Sequence, residues 1–160
     1  MSQTACASVA LENPELARDF LVRHGLVQEG LLIDVAVLSG DIHSSWAADL
    51  PVGAEFVSPS VTTDTFSRTV LPSLPGLPAL ARRLFLSQNR HLRLCDLDHH
   101  GYVTVDVTPE RIQGDWWHVD TIARRPSGER WAGGWSLAHG ELGLRPAEAP
   151  AASVAGELAH

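Results

Sequence analysis

Two stretches of the chain gather side chains able to hold a metal ion. "SGDIHSSWAADL", residues Ser39 to Leu50, sets Asp41 and His43 two positions apart directly after a glycine. If the backbone folds back, a carboxylate and an imidazole at that spacing can turn toward one point, and together they suit a transition metal or a mixed pair of ions. The same residues can also do less: Asp41 can hydrogen-bond its own turn, and His43 can be a partly buried polar side chain. "CDLDHHG" collects Cys95, Asp96, Asp98, His99 and His100 and is richer still by composition. Neighbouring residues of an extended chain point to opposite faces, however, and an Asp-rich segment ending in Gly reads as a hairpin tip. Cys95 reads as an inert buried thiol.

Other chemistries find little support. Trp116, Trp117, Trp131 and Trp135 could offer a stacking platform, but the adjacent pair must face opposite ways on a strand, which sends at least one into the core. Ser44 and Ser45 follow His43 without the flanking glycines of a nucleophile elbow. No phosphate-cradling glycine loop, CxxC pair or HExxH is present.

The elements that must position these residues follow from periodicity. "NPELARDFLVRHG" reads as a helix, with Asn13 as cap, Pro14 in the first turn, an apolar stripe of Leu16, Phe20 and Leu21, and Gly25 as stop. "LLIDVAVLSG" is a near-continuous branched apolar run, the pattern of a strand buried on both faces in a mainly parallel sheet. Gly40 then opens a loop at the carboxyl end of that central strand, where open α/β sheets bind ligands. "VGAEFV" reads as a second strand, "LPSLPGLP" as a connector, and Leu77 to Leu86 as a short helix. "YVTVDVT" alternates as a strand, "IQGDWWHVDTIA" supplies a further strand of an antiparallel meander, and "RRPSGERWAGGW" adds a turn and a short strand. Residues 1–12 read as loose, and 146–160, rich in Ala and Pro, as a disordered tail or linker. Residues 13–145 form the folded part.

With 160 residues, 44% hydrophobic and 19% charged, the chain suits one globular domain. All 12 basic residues are Arg, and the net charge of -7 argues against nucleic-acid binding and against an anionic membrane surface. An anionic substrate therefore calls for a local cationic site, which bound metal can supply. Cys6 and Cys95 imply no disulfide framework. No apolar run approaches the roughly 18 residues of a transmembrane segment, and the first residues do not read as a secretory signal. As written, the chain reads as cytoplasmic.

"VAVLSGDIHSSWAADL", "EFVSPSVTTDTF" and "HLRLCDLDHHGYVTVDVTPERIQGDWW", in that order, resemble the carboxy-terminal part of PhoD-like alkaline phosphatases, within the calcineurin-like metallophosphoesterase superfamily. The likeness runs from Val35 to Trp117 and continues to Trp135. It implies a partial four-layer α/β/β/α fold, an α/β (α+β) class with a carboxy-terminal antiparallel meander. It also implies hydrolysis of phosphate mono- or diesters by metal-activated water at a two-metal centre, with iron and calcium as the ions. The superfamily's last metal motif, Gly-His-x-His at a strand end, falls on Gly40, Asp41, Ile42 and His43. His43 thereby carries a metal-ligand role and Asp41 a ligand or outer-sphere role. The earlier motifs of the superfamily have no counterpart in the 39 residues before Gly40. The resemblance thus covers a fragment whose partner is the upstream half of the domain, and family members are often exported by a signal that would lie upstream. The alternative is a non-catalytic β-rich interaction module built on the same scaffold.

Overall fold

Two four-stranded sheets carry the chain. In the first, β1 (Val35–Ser39), β2 (Ser45–Leu50), β3 (Gly53–Val57) and β4 (Leu92–Asp96) lie in the order β1-β3-β2-β4. β1 runs parallel to β3, while β2 is antiparallel to both β3 and β4. The second sheet is a meander of β5 (Gly101–Val107), β6 (Arg111–Val119), β7 (Glu129–Ala138) and β8 (Arg145–Ala147) in sequential order. This computed structural model describes residues 19, 23, 35–71, 74–124 and 127–152. The helix read from Asn13 to Gly25 lies outside them except for Asp19 and Arg23, which are helical.

Three expectations are corrected. The strand ending at Ser39 is not central in a mainly parallel sheet: among the described residues β1 pairs with β3 alone, and Ala36 and Leu38 are exposed. Second, the chain after Gly40 is loop only as far as Ser44, because "SWAADL", for which the periodicity gave no strand, is a buried one. Ala has weak strand preference, yet Ala47 and Ala48 are fully buried, so at the sheet centre small size counts for more than propensity. Third, the tail is held at its start. β8 pairs with β7, Gln113 donates to the Ala149 carbonyl at 3.0 Å, and the Ala151 N–H donates to Asp115 at 3.0 Å. Polar side chains on the outer face of β6 supply the partners that Ala and Pro cannot.

The sheets pack face to face through Ala47, Ala54 and Phe56 on one side and Trp116 and Leu137 on the other. Burial of such side chains is the main favourable term in folding. Phe56 lies 5.9 Å from Trp116 between ring centres. Gly114 is required here, since a Cβ would run into the Phe56 ring. The opposite face of the first sheet is covered by α1 (Phe66–Val70) and α2 (Leu77–Gln88), with Phe85 edge-on to Trp46 at 5.4 Å. The described residues therefore form a mixed α+β arrangement of helices, a mixed sheet and an antiparallel sheet. Trp116 is buried and Trp117 faces outward, as adjacency on a strand demands.

Candidate metal sites at one sheet edge

β1 ends at Ser39, whose hydroxyl donates to the buried Glu55 carboxylate at 2.8 Å. Burial pushes the Glu55 carboxyl up to about 7, against a smaller lowering by the Ser39 hydrogen bond. The chain then turns through Gly40–Ser44. Asp41 (φ 71°) and His43 (φ 52°) are the non-glycine residues with positive φ among those described. Left-handed backbone costs an ordinary residue about 1–3 kcal/mol and gathers at ligand-binding positions.

The segment "SPSVTTDTF" braces this turn. The Phe66 N–H donates to the His43 carbonyl at 3.1 Å, and His43 Nδ1 lies 3.0 Å from the Asp64 carbonyl oxygen. A carbonyl can only accept, so Nδ1 is the donor in this contact. The Thr63 hydroxyl sits 3.2 Å from each ring nitrogen and is itself held by Ser60 at 2.8 Å. Histidines that bind metals are commonly fixed through the second nitrogen in this way. Ser44 and Ser45 are fully buried, and Ser44 accepts from the Trp46 indole at 2.6 Å, which leaves them unavailable as nucleophiles.

"CDLDHHG" is not a hairpin tip. β4 and β5 belong to different sheets, so the segment is a crossover between them. Asp96 Oδ1 accepts the N–H groups of Asp98 and His99 at 3.0 and 2.9 Å, which closes the turn. At Gly101 a side chain would collide with the Trp117 carbonyl. The crossover brings Asp96 and His99 to His118 of β6, with one donor atom from each lying within 4.8 Å of the others. The His99 and His118 rings stack at 4.4 Å. Burial raises the Asp96 carboxyl, but the two amide hydrogen bonds and the His99 imidazole outweigh it and hold the group below its usual range. Burial lowers His118 to about 4; the Asp96 charge opposes this, while His99 and Arg130 add to it. His118 was invisible to a local reading; its placement on the same inward face as Trp116 is the signal that could have found it.

The two candidate groups share an edge. Ser45 pairs with Asp96, the Ser67 N–H donates to the Leu97 carbonyl at 3.0 Å, and Ser67 Oγ donates to Asp98 at 2.6 Å. α1 thus touches both the His43 loop and the crossover. Of the polar side chains elsewhere, Arg93 pairs with Asp49, Asn89 donates back to the Phe85 carbonyl at the end of α2, and Arg124 is exposed. Burial, reinforced by the Asp96 charge and opposed by Arg82, pushes the Cys95 thiol up to about 12.

Comparison with known proteins agrees with this architecture. The sequence pattern of the PhoD-like phosphatase family matches residues 13–116, more than half of the chain. Alkaline phosphatase D of Bacillus subtilis (strain 168) is 34% identical over 89 residues, covering 53% of this chain and 15% of that protein. A solved structure described as "Structure of PhoD" superposes with a TM-score of 0.62 at 22% identity, covering 86% of this chain and 26% of that one. The chain therefore spans a small fraction of the length of these relatives. It is a member of the PhoD-like phosphatase family.

Proposed function

We propose that this chain is the carboxy-terminal portion of a metal-dependent phosphoesterase of the alkaline phosphatase D type, to which it contributes His43 and Asp41. The observation that carries the reading is the His43 ring held through Nδ1 by the Asp64 carbonyl, so that Nε2, whose neighbour is the rotatable Thr63 hydroxyl, is the atom that would face a metal. The strained backbone at Asp41 and His43 supports it. The donor set fits the ions implied by the resemblance, since a neutral imidazole suits iron and a carboxylate suits calcium. Such ions, when bound, supply an activated water and stabilise charge on the phosphoryl oxygens. Two ions need more donors than these two residues, so the upstream half of the domain is the required partner. Among the described residues β1 has a neighbour on one side only, and its other side is where those strands would continue the first sheet, with a further helical layer to complete the four-layer fold. The substrate is a phosphate mono- or diester.

Hydrolysis of p-nitrophenyl phosphate and its bis-ester tests this, using the chain extended by the coding sequence upstream of Met1. His43→Ala should cut activity by more than the ~10–100-fold typical of losing an outer-sphere partner. Unchanged hydrolysis in that variant would sink the proposal.

A further inference from the structure

Where the chain crosses from one sheet to the other, three metal-binding side chains meet that the phosphoesterase reading does not use. We propose that Asp96, His99 and His118 form a zinc site that clamps the crossover between the two sheets. Each ligand comes from a different element: Asp96 is the last residue of β4, His99 lies on the turn, and His118 is on β6. Register places Asp96 opposite Ser45, on the face of the first sheet that carries Ala47 toward the second sheet. His118 shares the inward face of β6 with Trp116. The group therefore sits between the sheets.

The observation that points to a ligand is His118 itself. It is 5% exposed, and its Nδ1 is buried with no hydrogen-bond partner. A buried imidazole nitrogen without a partner is costly unless something binds it. Two imidazoles and a carboxylate are a donor set zinc accepts, with a fourth position left for water. A cleft of about 180 Å³, lined by Asp96 and His118 together with Arg82, Trp116 and Gly133, gives room for that water. To reach ligand distances near 2.0–2.2 Å, the His99 ring must swing out of its stack with His118. It can do so because its side chain is 46% exposed and, apart from that stack, is held by the Asp96 carboxylate.

The test uses the 160-residue chain, freed of metal with a chelator and titrated with zinc chloride, with cobalt(II) as a visible-absorption probe. Wild type and His43→Ala should each bind one zinc tightly and show tetrahedral cobalt bands. His99→Ala, at a half-exposed position, should bind at least ~10-fold more weakly. Asp96→Asn retains an acceptor for the turn and should weaken binding as well, which guards against a misfolded variant. Absence of submillimolar zinc binding in wild type, or zinc held equally by His99→Ala and Asp96→Asn, overturns the site. Because neither Asp41 nor His43 takes part, this result and the phosphoesterase assay can fail independently.

Discussion

At the scale of single residues, the fold keeps strained or costly groups at the edge where β1 ends. Asp41 and His43 adopt left-handed backbone, and Glu55 is a fully buried carboxyl with one oxygen, Oε2, lacking a partner. The raised Glu55 value fixes the sign of its pH effect. The folded chain holds the Glu55 proton more tightly than the unfolded chain, so this contribution is complete below pH 4.5 and is lost as pH rises to about 7. Glu55→Gln should therefore gain about 3 kcal/mol relative to wild type at pH 8, with little difference at pH 4. Urea unfolding of both proteins across that range checks it. The His43 loop was legible because an apolar run, a glycine and two ligand-type residues are contiguous. The Asp64 carbonyl that fixes the ring was not, since any residue type supplies a carbonyl.

At the scale of elements, strands with alternating residues declared themselves. "YVTVDVT" forms β5 as its period of two predicts, the strand read in "IQGDWWHVDTIA" is β6 but ends at Val119, and Leu77 to Leu86 lies within α2. β2 escaped because its centre is Ala-Ala, and the "CDLDHHG" crossover was misread because its partner His118 lies far along the chain. The starting stretch of the tail is fixed by Asp115, which is 1% exposed and accepts from Gln113, Trp131 and the Ala151 N–H. Removing it strands three buried or half-buried donors. Asp115→Ala should cost about 3 kcal/mol and speed amide exchange at Ala151, measured by mass spectrometry. Unaltered exchange there would show that β8 alone holds the segment.

For the molecule as a whole, the decisive feature is that its match to alkaline phosphatase D of Bacillus subtilis covers 15% of that protein and that β1 has one neighbour among the described residues. A bare strand edge with outward apolar side chains is a template for association. Sedimentation velocity should show concentration-dependent self-association of the isolated chain. Leu38→Lys, at a position 54% exposed, should suppress it while moving stability by less than ~0.5 kcal/mol. If the lysine variant associates as strongly, the contact lies elsewhere. The same sheet also carries its own reporter. Cys95 is fully enclosed beneath α2, and its thiol is held far from ionisation at neutral pH. With Cys6 replaced by Ser, the rate at which a thiol reagent labels Cys95 becomes a clock for how often the first sheet opens, with or without whatever settles against β1.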